Sequence, residues 1–228
     1  MILRAAAGSD GGRRRPVHED PYAVAADIGL DLGADGLGGH VAGQVASELA
    51  AEAALRTVRT LEGAAPSLAE KLRYAVTAAN REVHETARRR PELQGMGTTL
   101  VALLAQEGRA ALAHVGDSRA YLVRGERIRQ LTDDHSLVGE LLRRREISPD
   151  AAREHPQRHV LTRAVGVRPQ VEPDLAGHVR DEEIARAVGG GVDPQEGVDS
   201  LIRLANSRGG EDNITVVVVR CEKSADPE

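Results

Sequence analysis

An α+β layered domain is what this sequence predicts, on three observations. Two short hairpins of antiparallel type occupy the middle of the chain. A pair of long amphipathic helices precedes them, and a β-branched apolar strand closes it. Met1 to Ala7 reads as a first strand and Gly8 to Arg15 as a Gly/Arg turn. Tyr22 to Ala26 and Leu30 to Ala34 read as two strands joined by a tight turn at Asp27 and Gly29. The glycine loop Asp35-Gly36-Leu37-Gly38-Gly39-His40 follows. Val41 to Leu61 is helical, with Val41, Val45, Leu49, Ala53 and Val58 roughly on one face. Ser67 and Glu70 form a capping box that opens a second helix, to about Arg89.

Strands dominate next. Thr98 to Ala105 and Arg109 to Val115 flank Gln106-Glu107-Gly108, and Ala120 to Arg124 and Arg127 to Leu131 flank Gly125-Glu126. Asp133 to Gly166 is more polar and predicts two short helices, one starting at Ser148-Pro149 with Ser as N-cap. Gln170 to His178 reads as a strand, and Asp181 to Val188 and Pro194 to Ser207 as helices. Ile214 to Val219 is nearly continuous in β-branched apolar residues, the pattern of a central strand buried on both sides.

Composition excludes several functions. The chain has 228 residues and a net charge of −5, which gives no general argument for nucleic-acid or membrane partners. Trp and Phe are absent and the only aromatics are Tyr22, Tyr74 and Tyr121, so stacking platforms for single-stranded nucleic acid are excluded. The core must be built from Val, Leu, Ile and Ala. Cys221 is the single cysteine: it rules out an internal disulfide and a Cys-based zinc site, and fits a reducing, cytoplasmic setting. The first residues lack the pattern of a signal peptide, and no run approaches a membrane span.

Acidic residues recur where strands end. Glu19 and Asp20 precede a strand, Asp35 opens the glycine loop, Asp117 lies in a Gly-Asp-Ser-Arg turn, and Asp212 precedes the last strand. Each alone is an ordinary turn residue. Together they suggest clustered carboxylates, which repel unless a hard divalent cation compensates them. The Gly36 carbonyl is free to approach such an ion. Three other motifs fail. A calcium loop from Asp31 has Ala42 where Glu is required. A dinucleotide fingerprint at Gly36 has Val41 at its last glycine position and an Asp facing the pyrophosphate. A nucleophile elbow at Ser118 lacks the helix that must follow. The eight histidines show no regular metal spacing.

Read in order, Arg15 to Asp20 (R-P-V-H-E-D), Ala34 to His40 (A-D-G-L-G-G-H), Gly97-Thr98-Thr99-Leu100, His114 to Ala120 (H-V-G-D-S-R-A), Leu131 to Ser136 (L-T-D-D-H-S), His155-Pro156-Gln157 through Gly166, and Glu211 to Thr215 (E-D-N-I-T) resemble the PPM (type 2C) metal-dependent Ser/Thr protein phosphatases of bacteria. The resemblance implies a four-layer α-β-β-α sandwich with two central antiparallel sheets. It implies one domain over 1–222, with 133–166 as a flap beside the active site and 223–228 as a polar tail. It implies two Mn²⁺ or Mg²⁺ ions and a weaker third. Asp35 would bridge two of them, the Gly36 carbonyl, Glu19 and Asp20 would serve the second, Asp212 the first and Asp117 the third. Arg15 would pair with the substrate phosphate. Phosphorylated proteins, the products of Ser/Thr kinases, would be the substrates of a monomeric enzyme. A metal-activated water would attack phosphorus in line, without a covalent enzyme intermediate.

One departure stands out. Relatives carry a strand and a Ser-Asp-Gly ligand segment where Val179-Arg180 here runs straight into Asp181-Glu182-Glu183. The sandwich therefore lacks one late strand. A second reading follows from this, a catalytically weak or inactive phosphatase-like binding or regulatory module.

Overall fold

Antiparallel pairing of strands close in sequence builds the centre of the molecule. The computed structural model describes residues 2–13, 20–63, 66–124, 127–180, 193–210 and 212–222. One sheet runs, in spatial order, β10 (Asp174–Arg180), β7 (Arg109–Val115), β6 (Leu100–Gln106), β3 (Leu30–Gly33) and β2 (Tyr22–Ala25). The β6–β7 connection is a tight turn at Glu107 and Gly108, both at positive φ, the twist that two-residue hairpins favour. β1 (Ile2–Asp10) and β11 (Ile214–Glu222) pair along their whole length as a second sheet, and β11 lies against β3. Two small ribbons complete the strands. β4 (Gly36–Leu37) pairs with β5 (Gly97–Thr98), and β8 (Tyr121–Arg124) with β9 (Arg127–Gln130).

Helices cover both outer faces. α1 (His40–Thr60) and α2 (Leu68–Arg89) pack on each other and over the large sheet. The buried face of that sheet is Leu30, Leu32, Leu100, Ala102, Leu104, Ala111, Ala113 and Val115. Without Phe or Trp the helix layer closes through small residues: Ala46, Ala50, Ala53, Ala75 and Ala79 are fully buried, which lets the backbones approach closely. The Ser67–Glu70 capping box is present in both directions. The helix here called α5 (Pro194–Ser207), capped by Asp193, lies on β1 and β11. The order of layers is helix, sheet, sheet, helix, the α+β sandwich expected. Two short helices, α3 (Leu137–Arg143) and α4 (Pro149–Glu154), start at the N-caps Ser136 and Ser148. No described helix is long and apolar enough to cross a membrane.

Two expectations need correction. β1 does not stop at Ala7: it continues through Gly8 and Ser9 to Asp10, because every residue has a partner on β11. β11 is not buried on both sides. Among the described residues it pairs with β1 alone, and its residues from Ile214 to Arg220 are half-buried. A run of β-branched residues reports strand tendency and cannot report how many neighbours the strand finds. The helix expected over Asp181 to Val188, the place where a late strand is expected to be lacking, and the tail from 223 lie outside the described residues.

Candidate metal centre

Strand register gathers the acidic residues at one end of the sandwich. Tyr22 pairs with Gly33, Gly33 with Val101, and Leu100 with Val115. Asp20 stands two residues before Tyr22, Asp35 two after Gly33, and Asp117 two after Val115. Adjacent antiparallel strands thus deliver all three to the same edge. The Ala34 N–H donates to the Pro21 carbonyl at 3.1 Å, which carries the β2–β3 alignment one step beyond the strands. Asp212 arrives from the second sheet, two residues before β11. Its neighbour Asn213 donates from Nδ2 to the Gly11 carbonyl at 3.2 Å.

The electrostatics follow from this crowding. The Asp35 carboxyl is pushed up to about 8, first by burial and then by the charges of Asp20, Asp212 and Asp117, with a hydrogen bond to the Asp20 carboxyl. Two carboxyls can bond each other only if one keeps a proton. Asp117 is raised as well, mainly by burial and by Asp134, against the opposing pull of Arg119 and His159. Asp20 is only 5% exposed. Such a set of hard oxygen donors fits a divalent cation, which would replace the shared proton and relieve the repulsion.

Neutral side chains lock the backbone around it. The Asp35 N–H donates to Thr99 Oγ1 at 3.0 Å. The Asp35 carbonyl accepts from the Thr99 N–H at 2.9 Å and from Thr98 Oγ1 at 2.8 Å. Thr99 Oγ1 also bonds Ser118 Oγ at 2.7 Å, which ties the Asp35 loop to the Asp117 turn. Gly36 is buried against the first turn of α1: a Cβ on it would stand 2.3 Å from the Gly43 carbonyl oxygen. The Gly-Thr-Thr and Gly-Asp-Ser motifs are plain in the sequence, but their clamp is not. Glu19 and Arg15 lie outside the described residues.

A further group escapes sequence spacing altogether. His114, His135 and Asp174 hold their potential ligand atoms within 4.8 Å of one another. The two rings stack at 4.6 Å between centroids, and both histidines are buried. Hydrogen bonds already engage them. His114 Nε2 donates to the Asp133 carbonyl at 2.9 Å, and His135 Nε2 faces Asp174 Oδ2 at 3.1 Å.

Comparison with known proteins shows the family. The family model described as "Protein phosphatase 2C" matches residues 17–164. The serine/threonine phosphatase stp of Listeria monocytogenes is 40% identical over 166 residues, 65% of this chain and 66% of that protein. The protein phosphatase PhpP of Streptococcus pneumoniae is 35% identical over 158 residues, 61% of this chain and 64% of that protein. The chain therefore spans about two thirds of the curated relatives it matches. The solved serine/threonine phosphatase PstP/Ppp of Mycobacterium tuberculosis superposes with a TM-score of 0.85 at 36% identity, over 98% of this chain and 100% of that one. A PstP catalytic domain solved in complex with two manganese ions gives 0.80 at 34% identity, over 97% and 99%. The chain belongs to the protein phosphatase 2C family.

Proposed function

We propose that this chain hydrolyses phosphoserine and phosphothreonine in proteins, with Mn²⁺ or Mg²⁺ held at the carboxylate end of the sandwich. The observation that carries the reading is Asp35, set among Asp20, Asp117 and Asp212, where burial first and then their charges favour its protonated form. Asp35 would bridge two ions. Asp212 would serve the first, Asp20, Glu19 and the Gly36 carbonyl the second, and Asp117 a weaker third. A bound pair of divalent cations supplies Lewis-acid activation of water for in-line attack on phosphorus. The chain's own residues orient the parts. Thr98 and Thr99 fix the Asp35 backbone, Ser118 links that loop to the Asp117 turn, and Arg15 would fork two phosphate oxygens. The flap would be 133–166, within one domain over 1–222. The products of Ser/Thr kinases would be its substrates. We read the protein as a monomer, and as cytoplasmic in keeping with its single cysteine.

The second reading, a binding or regulatory module, rests on the Ser-Asp-Gly segment missing after Arg180. The relatives named above carry phosphatase names, and so it is not favoured. An assay with an aryl phosphate separates the two. The enzyme reading expects turnover that needs Mn²⁺ and falls at least about 100-fold in Asp35→Asn, since second carboxylates do not replace a bridging one. Equal background in both proteins would refute it.

A further inference from the structure

We infer that His135 is a positioning residue that holds the Gly116 turn, and with it Asp117 and Ser118, in place for the metal centre. Asp174 and Arg163 fix the tautomer that lets it do so. The consequence for metal binding rests on the reading of Asp117 as a ligand. The geometry of the hold does not.

His135 grips both backbone groups of Gly116. The Gly116 N–H donates to His135 Nδ1 at 3.1 Å, and the His135 N–H donates to the Gly116 carbonyl at 2.9 Å. Gly116 has φ +107, and a Cβ there would stand 2.6 Å from Thr99 Cγ2. The turn is therefore pressed, without a side chain, against the residue that clamps Asp35. Nothing intrinsic to glycine holds such a turn rigid. His135 constrains it through both backbone groups of Gly116.

The tautomer follows from the partners. A backbone N–H can only donate, so Nδ1 must be bare and Nε2 must carry the proton. That proton faces Asp174 Oδ2 at 3.1 Å, and Arg163 Nη1 donates to Asp174 Oδ1 at 2.7 Å. Every bond in the chain from Arg163 to Gly116 thus has one possible direction. His135 is 1% exposed, so water cannot substitute for a lost partner. The same arrangement argues against a metal on His135, Asp174 and His114. Coordination through His135 Nε2 would move its proton to Nδ1, directly against the Gly116 N–H.

The anchor is shared with residues 133–166. The His135 carbonyl accepts from the Thr162 N–H at 2.8 Å, and Ser136 bridges to Leu161 while capping α3. Residues 133–166 are thus tied to the Gly116 turn through both the ring and the backbone of His135.

The first test needs no metal. Long-range proton–nitrogen spectra of the metal-free protein should show His135 with a bare Nδ1 and a protonated Nε2. The reverse tautomer, or an average of both, overturns the proposal. The second compares His135→Asn with His135→Gln by Mn²⁺ titration under electron paramagnetic resonance. Asn keeps an acceptor near the Nδ1 position, and Gln places its amide near Nε2 instead. Gln is expected to weaken the weakest resolved Mn²⁺ event about tenfold, and Asn by no more than about threefold. Equal weakening, or none, contradicts the proposal. Should either variant fail to fold, Arg163→Gln at the half-exposed end of the chain decides: it should weaken the same event while leaving the tighter ones unmoved, and no change overturns the chain. A wild-type protein that binds no Mn²⁺ fails the functional reading instead, and the tautomer then decides the positioning claim alone.

Discussion

On β3 the side chains alternate, and Asp31 takes the face opposite Leu30 and Leu32, the one turned toward β11. It is buried, and burial pushes its carboxyl up to about 6. A carboxyl whose folded value lies above its unfolded one binds its proton more tightly in the native state, so stability falls as pH rises between about 4 and about 6. Asp31→Asn should therefore raise the unfolding free energy by up to about 3 kcal/mol above pH 7 and change little below pH 4. Urea unfolding of the metal-free protein at both pH values checks it, and an equal gain at each would contradict it. Asp35 carries the opposite lesson, because under the proposed function a cation would displace its proton. Mn²⁺ affinity should climb with pH and level off above about 8, with proton release measurable by calorimetry in buffers of different ionisation heat. Affinity independent of pH would contradict the crowding described. Both residues are visible in the sequence. Their environments are not, since alternation gives Asp31 a face but not the sheet that covers it.

At the level of elements, local signals proved the most legible. Helical periodicity and the capping box placed α1 and α2 within a residue or so, and Pro194 marked α5. Ser67→Ala should cost about 1 kcal/mol in α2, measured as a change in urea midpoint without a change in slope. Gly36→Ala is a harsher case. Its Cβ would meet the Gly43 carbonyl oxygen at 2.3 Å, so β4 or the first turn of α1 must move. The expected result is weaker Mn²⁺ binding together with a loss of about 2 kcal/mol. Unchanged affinity would show that the Gly36 carbonyl is not a ligand. Sheet membership was less legible. β11 and β1 each look like strands, but only pairing across the full sequence sets the length of β1 and the half-burial of β11.

Across the whole molecule, register decides which side chains meet. Three strand ends of one sheet and one of the other meet because each acidic residue sits two positions from a paired residue. Ordered motifs made these carboxylates legible as a set. The His135 anchor was not, because Gly116, His135 and Asp174 are 19 and 39 residues apart and carry no spacing rule. A cation that binds only the folded chain must stabilise it. At 100 times its dissociation constant, Mn²⁺ should add about 2.7 kcal/mol, a rise of several degrees in Tm that Asp35→Asn removes.

Whether the carboxylates hold the ions can be seen in crystals soaked in Mn²⁺ and measured at the manganese absorption edge. Anomalous peaks are expected among the carboxylates of Asp20, Asp35 and Asp212, beside the Gly36 carbonyl, and none between His114 and His135. Density at the histidines with none at the carboxylates would contradict it.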